Sequence, residues 1–400
     1  MKKVLLISTR PPFPLYNGSA IRTFQAIKFF YESSYIVDVL YLTTQNDNKI
    51  TNQGLERFCR NIYTFRISVF KSYLKVLWGI FSNRKPLQVN YYYFKSIEKR
   101  FLRNMHEYDV VFYNNIRTAE YLKDIKSYKI MDFVDAISMN YEKAIAQKKG
   151  LWHYIYRIDH QRCLKYEREL LTRFNKCMII SDVDRDYILY DKCPYKISVI
   201  ENYVQLHEDT INHKEQNYNI VFVGTMNYEP NISAVNYFVN KVFPSLLKRY
   251  PQLKFYIVGN KPSKEVMKLK CDNIIVTGFV NDVWEYLKQS AVVVIPMISG
   301  AGIQNKILEA MSIGGCVVTT PIGFEGLKKR EGAPLVVYSE EEMIIAISSL
   351  LDSTTLRAVM GNRAKQYIAE YYSENKIFSK FQNFIKKYIN HENTIFSPLH

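Results

Sequence analysis

Short apolar segments with the length of buried strands recur along the whole chain, and a stretch long enough for a helix separates each from the next. In the N-terminal half these segments are Val4–Ser8, Ile36–Leu42, Tyr108–Tyr113, Lys129–Val134 and Lys176–Ser181. In the C-terminal half they are Ile220–Gly224, Lys254–Gly259, Ile274–Gly278, Ala291–Ile295 and Cys316–Thr320. Strands that alternate with helices form parallel sheets covered by helices. The pattern predicts an α/β protein with two Rossmann-like domains, whose ligand crevices face each other at the carboxyl ends of the strands.

The length and one polar segment indicate where the domains divide. A chain of 400 residues exceeds what one hydrophobic core normally supports. Leu206–Asn219 is polar and has no apolar periodicity, which is typical of a linker. We therefore predict a first domain over residues 1–205, a linker over 206–219, a second domain over 220–372, and a C-terminal helix and tail over 373–400. Predicted helices in the first domain begin at an N-cap Ser19 and continue through Phe30, lie around Ala119–Ile125, and span Tyr154–Phe174.

Composition and cysteine usage favour a globular protein of a reducing compartment. Hydrophobic residues make up 48% and charged residues 23% of the chain, and no apolar run approaches the roughly 18 residues of a spanning helix. Met1–Ser8 begins like a signal peptide, but its apolar core is short and Arg10-Pro11-Pro12 interrupts it. The six cysteines form no Cys-x-x-Cys pair, which indicates buried thiols and predicts a cytoplasmic protein.

A basic and aromatic segment runs from Arg57 to Arg103, in a chain of net charge +16. Glu98 is the one acidic residue of this segment, whereas Trp78, Phe81 and the run Tyr91–Tyr93 are among its aromatic residues. Alternating basic and aromatic residues favour a surface that lies on an anionic membrane, where each basic residue contributes about 1 kcal/mol. The alternative is that these aromatics pack in the core and the lysines solvate its outside. No helix-turn-helix or RNP motif is present, so nucleic acid is not the expected partner.

The segment Ser299–Met311 lies between two buried-strand signals and carries two glycines, Gly300 and Gly302. A strand, a glycine-rich turn and a helix in that order aim free backbone N–H groups at one point, which suits an anion. Lys306 in the first helical turn adds a positive charge, and Glu309 lies on nearly the same face, where its carboxylate can accept two hydroxyls. This combination suits a phosphate attached to a sugar. The alternative is that both glycines serve turn geometry alone.

From Ile220 onward the chain resembles the nucleotide-sugar-binding half of family 4 glycosyltransferases, in particular their exopolysaccharide- or capsule-type members. The resemblance rests on five segments in the family's order: Phe222–Asn231, Phe255–Gly259, Val276–Val283, Gly302–Met311 and Pro321–Leu327. It implies the GT-B fold, with a last helix that crosses back onto the first domain. It also implies a transferase that moves a sugar from a nucleotide donor to a lipid-linked or polymeric glycan, with retention and without an obligatory metal or other cofactor. A nucleotide-sugar epimerase of the same architecture is the rival within enzymes.

The resemblance assigns donor-binding roles residue by residue. It places the diphosphate near Gly224, Thr225 and Asn227 and near Gly302, Ile303, Asn305 and Lys306, the base near Gly278, Phe279 and Val280, and the ribose hydroxyls on Glu309. The sequence departs from the family at two of these places. Met226 and Asn227 stand where a basic residue usually follows the first glycine. Ala301 stands where the first glutamate of the family's Glu–seven residues–Glu pattern falls.

Candidate residues in the first domain carry weaker signals. Gly18 and Ser19 follow the first strand, where the family has a glycine pair near phosphate or acceptor, and a helix cap is the alternative. Asp132 and Asp135 end a strand at the expected cleft edge and are candidate residues for orienting an acceptor hydroxyl or acting as base; capping of the next helix is the alternative. Asp182 and Asp184 follow Ser181 and are predicted to cap a helix, so no metal is expected.

Overall fold

The protein is described by a computed structural model that covers the chain apart from residues 16–17, 46–48, 83, 103–107, 146–149, 190–194, 208–210, 212–217, 301, 330–333 and 393–400. Its contacts divide the chain into two compact units. The first contains Met1–Asn202 and Phe378–His400, and the second contains Tyr203–Ile377. Most of the predicted linker, the residue Ala301 and the basic residue Arg103 lie outside the described residues.

The first unit has a parallel sheet of seven strands in the order β3-β2-β1-β4-β5-β6-β7. The strands are β1 (Lys3–Ser8), β2 (Ile36–Thr43), β3 (Asn61–Arg66), β4 (Val110–Asn114), β5 (Tyr128–Asp132), β6 (Lys176–Ile179) and β7 (Ile197–Val199). The helices are α1 (Gly18–Glu32), α2 (Lys49–Leu55), α3 (Val69–Ser82), α4 (Leu87–Tyr92), α5 (Lys95–Leu102), α6 (Ile137–Ile145), α7 (Leu151–Arg173) and α8 (Asp182–Ile188). The central strands are apolar along most of their length, as strands covered on both faces require.

Part of the basic segment belongs to this sheet, which the sequence reading did not foresee. Asn61–Arg66 forms the edge strand β3, and Arg60 forms an ion pair with the buried carboxylate of Asp38 on β2. The rings of Tyr91–Tyr93 pack partly buried against the core of the first unit, as the alternative expected, and their place at a membrane interface stays a prediction. Helix α4, which carries Tyr91 and Tyr92, packs beside α3.

Two local predictions in the first unit are also wrong. No α-helix covers Ala119–Ile125: a 3₁₀ turn at Ile116–Thr118 is followed by further turns, and Leu122 has a positive φ of 53° that an α-helix does not tolerate. Helix α1 begins at Gly18, so Ser19 lies inside its first turn and is not the residue that precedes it.

The second unit has a parallel sheet of six strands in the order β10-β9-β8-β11-β12-β13. The strands are β8 (Asn219–Val223), β9 (Lys254–Val258), β10 (Ile274–Gly278), β11 (Val292–Ile295), β12 (Val317–Thr319) and β13 (Leu335–Val336). The helices are α9 (Glu229–Tyr237), α10 (Phe243–Arg249), α11 (Lys264–Met267), α12 (Trp284–Lys288), α13 (Asn305–Ser312), α14 (Pro321–Phe324), α15 (Glu340–Asp352) and α16 (Thr354–Tyr371). A π-helical stretch, Phe238–Val242, joins α9 to α10.

The last helix, α17 (Glu374–Glu392), begins in the second unit and belongs to the first unit from Phe378 onward. Within the first unit Phe381 packs on Phe29 and Phe30 of α1, with ring centroids 5.3 and 5.0 Å apart. Lys380 forms an ion pair of 2.7 Å with the nearly buried Glu201. Apolar burial and one charge pair thus hold this end of the helix on the first unit.

No single helix among the described residues is long and apolar enough to span a membrane; a pair bent by 107°, Glu340–Asp352 with Thr354–Lys386, reaches the required length and composition together. Of the described cysteines, Cys59, Cys163, Cys177 and Cys316 are buried and Cys271 is exposed. The expectation of burial is therefore wrong for Cys271, which lies just before β10.

Candidate active site

The second sheet has a switch point between its two central strands, β8 and β11. From β8 the chain continues through β9 to β10 on one side, and from β11 it continues through β12 to β13 on the other. The loops after β8 and β11 therefore leave the same sheet edge in opposite directions and open a crevice, where ligands bind in sheets of this kind. Gly224 and Thr225 begin the first of these loops, and Gly300 and Gly302 lie in the second.

Lys306 connects the two loops. It lies in the first turn of α13, and its Nζ donates a hydrogen bond to Oδ1 of Asn231 on α9. Nζ also lies 3.9 Å from Met297 Sδ and 4.8 Å from the centroid of the Phe222 ring. Asn231 in turn donates from Nδ2 to the carbonyl oxygen of Thr225, at 3.0 Å. The ammonium group is thus held at the crevice by an amide, a thioether and an aromatic ring.

Lys306 and Glu309 carry opposite charges when ionised, and burial disfavours the ionised form of each side chain. Burial lowers the pKa of Lys306 to about 7, and the nearby Glu309 carboxylate opposes that shift only in part. Burial raises the pKa of Glu309, and Lys306 opposes that shift in turn. Among the residues that the structure describes, none hydrogen-bonds to the Glu309 carboxylate. Its oxygens are therefore available to accept hydrogen bonds from the hydroxyl groups of a ligand.

Two glycines fix the backbone of the crevice. Gly302 has a φ of 73°, which is the left-handed region that glycine adopts without strain, and this bend brings the chain to the start of α13. At Gly259, after β9, a Cβ atom would lie 1.7 Å from the carbonyl oxygen of Gly224. Only glycine allows this close approach of the β8 and β9 loops.

The other donor-binding candidates lie around the same sheet edge with different environments. Of the two residues in the place of the usual basic residue, Met226 is fully buried and Asn227 is exposed in the β8 loop. Ile303 packs partly buried against the core, and Asn305 begins α13. Gly278 ends β10 with a φ of 70°, the Phe279 ring is 62% exposed, and Val280 packs against the core.

Asp132 in the first unit forms a buried ion pair with Arg22 of α1. Its Oδ2 accepts from Arg22 Nε at 2.8 Å, and its Oδ1 accepts from Arg22 Nη2 at 3.1 Å and from the backbone N–H of Val134 at 3.0 Å. Arg22 Nη1 also donates to the carbonyl oxygen of Ile200, at 2.6 Å. The base assignment of Asp132 stays a prediction, and a fully buried carboxylate with both oxygens engaged weighs against it.

Asp135 has a different setting, on the wall of a cavity. Its Oδ2 accepts a hydrogen bond of 2.7 Å from Asn140 Nδ2, and burial raises its pKa while Arg117 opposes the shift. Gly18 is exposed and Ser19 partly buried at the start of α1. The structure thus separates the two aspartates: one pairs with a buried arginine, and the other lines a space.

The predicted cap at α8 is present. Ser181 is the N-cap and accepts from the backbone N–H of Asp184, whose Oδ1 accepts from the backbone N–H of Ala136 at 2.9 Å. Asp182 pairs with Arg185 at 2.7 Å. In the described part of the chain, no three His, Cys, Asp or Glu side chains are grouped so as to hold a metal ion.

Sequence reasoning missed several residues that shape these sites. Asn231 and Phe222 lie within a segment that carried the family resemblance, but their contact with Lys306 depends on how β8 and β11 adjoin in space. Arg22 lies in a helix with no motif, and its partner is 110 positions away. In the sequence, the available sign of a site residue was a polar residue shortly after a predicted strand. That sign identifies residues in loops, and Arg22 and Asn231 lie in helices.

The sequence is similar to a known protein family and to a known protein. Residues 217–353 match the family described as Glycosyl transferases group 1. The chain is also similar to a Klebsiella pneumoniae protein described as an uncharacterized 44.6 kDa protein in the cps region. The two are 25% identical over 410 residues, which cover 95% of this chain and 98% of the relative.

Solved structures are similar over nearly the whole chain. Anabaena HepE in complex with UDP has a TM-score of 0.68 at 13% identity, covering 97% of this chain and 100% of that one. A mutant of S. aureus TarM in complex with fondaparinux, alpha-GlcNAc-glycerol and UDP has a TM-score of 0.66 at 14% identity, covering 96% and 99%. WaaG, a glycosyltransferase involved in lipopolysaccharide biosynthesis, has a TM-score of 0.64 at 18% identity, covering 94% and 98%. These likenesses show the GT-B fold.

Proposed function

We propose that this chain, whose residues 217–353 match the group 1 glycosyl transferases, is a glycosyltransferase that moves a sugar from a nucleotide-sugar donor to a glycan acceptor in surface polysaccharide synthesis. The observation that carries the proposal is the pair Lys306 and Glu309 at the switch point of the second sheet. A lysine held at the crevice and a carboxylate that accepts no hydrogen bond from the described residues suit a ligand with phosphates and adjacent hydroxyls.

Lys306 would act on the leaving diphosphate. Its pKa is lowered to about 7 in the unliganded site. A diphosphate bound beside it favours the ammonium form, because an opposite charge within a few ångströms raises a lysine pKa. The N-terminal turn of α13 adds backbone N–H donors on the same side. Stabilisation of the departing charge by such fixed groups is usually a large catalytic contribution, and it needs no metal in this proposal.

Glu309 would bind the ribose of the donor. A carboxylate accepts hydrogen bonds from two neighbouring hydroxyls, and burial strengthens such bonds. The residues around Gly278–Val280 lie at the end of β10 on the same sheet edge, where backbone groups would contact the base. Retention of anomeric configuration remains part of the proposal on the ground of family resemblance.

Donor classes can be ranked for testing by what similar proteins bind. HepE is described in complex with UDP-glucose, and TarM in complex with UDP. We therefore expect a UDP-sugar among the first donors to stabilise the protein. The experiment is a thermal-shift panel of UDP-, GDP- and dTDP-sugars, followed by mass spectrometry of the products. Transfer or slow hydrolysis with release of nucleoside diphosphate supports the proposal. A change in sugar stereochemistry without release of the nucleotide identifies an epimerase instead.

The proposal includes a place of action, the inner face of the plasma membrane, because α3 exposes an apolar stripe. Its members recur every three or four positions, as one helix face requires: Phe70, Tyr73, Leu74, Leu77, Trp78 and Phe81, which are between 49% and 91% exposed. Ser72 and Gly79 on the opposite side of the helix are buried. The small residues thus face the protein, and the large apolar ones face outward.

Basic residues beside this stripe favour an anionic bilayer as its partner. Fewer of them are exposed than the sequence suggests. Lys71 and Arg84 are exposed. Lys75 instead donates to the carbonyl oxygen of Tyr93 and lies 4.3 Å from the Phe94 ring centroid, and Lys85 pairs with Glu120. The membrane proposal therefore depends on Lys71, Arg84 and the apolar stripe.

Flotation with liposomes tests this surface. The wild type should float with anionic vesicles and less with neutral ones, and the double variant Trp78→Ser with Phe81→Ser should lose binding. The matched control is Tyr338→Ser with Ile345→Ser, which removes two comparably exposed apolar residues from the second unit and should bind normally. Equal flotation of both double variants would contradict the assignment to α3.

A further inference from the structure

A cavity of about 400 Å³ lies at the switch point of the first sheet. Strands β1 and β4 are neighbours there, and the chain leaves them toward opposite sides of the sheet. Arg10 follows β1 by two residues, Arg117 follows β4 by three, and Asp135 follows β5 by three; all three line the cavity. The loops that carry them leave the carboxyl edge of the sheet, where doubly wound folds bind ligands.

The two arginines have hydrogen-bonding capacity that the protein leaves open. Arg117 Nε donates to Gln88 Oε1, and its guanidinium lies 5.6 Å from the Tyr92 ring centroid. Among the described residues, no acceptor binds the terminal nitrogens of Arg117, and none binds the side chain of Arg10. A guanidinium with both terminal nitrogens available presents a fork that matches two phosphate oxygens.

The charges in the cavity do not balance. Burial lowers the pKa of Arg117, and the charge of Arg10 lowers it further. Asp135 is the carboxylate among the lining residues, and it already accepts a hydrogen bond from Asn140. Two cations therefore face one carboxylate. Arg10 is exposed, whereas Arg117 is partly buried, so an anion in the cavity would chiefly compensate the charge of Arg117, which is otherwise costly to hold there.

The remaining walls suit a sugar next to that anion. Tyr91, Tyr92 and Tyr141 line the cavity, and Gln88 donates to the Tyr141 hydroxyl at 3.2 Å. Aromatic rings offer apolar faces to the C–H groups of a pyranose, and tyrosine hydroxyls and amides offer hydrogen bonds to its hydroxyls. The cavity thus combines a basic end with a wall of aromatic and amide groups.

The cavity also adjoins the apolar stripe of α3. Val76 of α3 lines it, and the Tyr73 ring of the stripe contacts the Tyr91 ring of the cavity wall, with centroids 5.5 Å apart. A ligand with its phosphate on the arginines can therefore extend toward the surface where the stripe is exposed. This continuity favours a phosphate that is attached to a lipid over a free phosphate.

We infer that Arg10 and Arg117 bind the phosphate or diphosphate that links a glycan acceptor to its lipid, with the first sugar against Tyr91, Tyr92 and Tyr141. The inference rests on the proposed function, since it names the acceptor class of that reaction. It assigns the two arginines to binding and positioning of the acceptor.

Calorimetry without any donor tests the inference. The probes are a sugar on a short polyprenyl diphosphate, the same sugar as an alkyl glycoside, and inorganic pyrophosphate. The diphosphate-linked sugar should bind at least tenfold more tightly than either other probe. Arg10→Gln and Arg117→Gln should each remove most of that preference. Arg66→Gln, which neutralises an exposed arginine at the end of β3, should leave it unchanged.

The controls separate this inference from the proposed function. Arg10 is exposed, so Arg10→Gln should fold normally, and thermal stabilisation by a nucleotide sugar should be the same in all variants. The inference is overturned if the alkyl glycoside binds as tightly as the diphosphate-linked sugar. It is also overturned if Arg10→Gln and Arg117→Gln bind the diphosphate-linked sugar as tightly as the wild type does. Pyrophosphate that binds as tightly as the linked sugar overturns the lipid-linked source. If nucleotide sugars stabilise the wild type but the diphosphate-linked sugar binds no more tightly than the alkyl glycoside, only the cavity assignment is refuted. If no nucleotide sugar stabilises the wild type, the proposed function is refuted.

Discussion

Lys306 of α13 donates a hydrogen bond to the side chain of Asn231 on α9, so the helices that follow β11 and β8 are joined at the switch point of the second sheet. Asn231 also holds the β8 loop through the carbonyl oxygen of Thr225. One amide therefore positions both the loop and the ammonium group. Asn231→Ala should disturb nucleotide-sugar binding although Asn231 itself is nearly buried.

We expect Asn231→Ala to weaken nucleotide-sugar binding by roughly three- to tenfold, since a lost hydrogen bond to a charged group costs about 1.5–3 kcal/mol and the ligand can in part replace it. The control is Asn240→Ala, which removes an exposed amide from the same unit. Titration calorimetry with the donor found in the panel measures both. Unchanged affinity in Asn231→Ala would show that Lys306 needs no such support.

Donor binding should depend on pH through Lys306. Its pKa is about 7 in the unliganded site, and a bound diphosphate raises it. Between pH 7 and 9 the unliganded lysine is therefore largely neutral and takes up a proton on binding, so affinity should fall as pH rises through this window. Calorimetry in two buffers with different ionisation enthalpies should show proton uptake at pH 8. Lys306→Met should lose both the uptake and the pH dependence; their persistence would refute the assignment.

Arg22 and Asp132 should matter for stability. Removing one partner of a buried ion pair leaves an uncompensated charge and typically costs about 3–5 kcal/mol. We therefore expect Arg22→Met to lower the free energy of unfolding in urea by about that amount. Nucleotide-sugar binding by the folded fraction should be retained. An Asp132→Asn variant with wild-type stability and no transferase activity would instead support the role of Asp132 as base.

Gly259 should be irreplaceable for the donor loop. A Cβ atom there would collide with the carbonyl oxygen of Gly224, so Gly259→Ala should displace the β8 loop and abolish donor-induced thermal stabilisation. The comparison variant is Gly314→Ala, away from the donor site, where an added Cβ atom would lie no nearer than 3.5 Å to any neighbour and the cost is left-handed strain of about 1–2 kcal/mol. Equal effects of the two substitutions would contradict the close approach of the loops.

Transferase activity should survive excess chelator. The described residues contain no metal-binding group of His, Cys, Asp or Glu, and Asp182 and Asp184 cap α8. Loss of activity in chelator that magnesium or manganese restores would show that the reaction uses a metal bound with the help of the substrate.

The sequence predicted most of this fold because buried parallel strands are apolar throughout. All five strands predicted in the second domain are present, and β10 has the predicted bounds, Ile274–Gly278. The edge strand β3 was missed, since its residues are partly exposed and lie in a basic segment. The two-residue β13 is too short to give a pattern.

The sequence predicted those site residues that lie in a recognisable motif after a strand. It did not predict those whose role depends on a contact between side chains that are distant in the sequence. The position of Lys306 and Glu309 after β11 follows from a strand–turn–helix pattern. The partners Asn231 and Arg22 come from helices whose neighbours are fixed only by strand order. The inward direction of Lys75 and Lys85 depends in the same way on packing, since a basic residue carries no sign of its orientation.

The central claim is that Lys306 and Glu309 bind the nucleotide sugar, and calorimetry with the cognate donor tests it most directly. Lys306→Ala and Glu309→Ala should each weaken binding more than tenfold, because each loses charge-assisted hydrogen bonds of roughly 1.5–3 kcal/mol. The exposed control substitutions Lys268→Ala and Glu341→Ala should bind as wild type. Wild-type affinity in both site variants, with the fold intact, would contradict the assignment of this site.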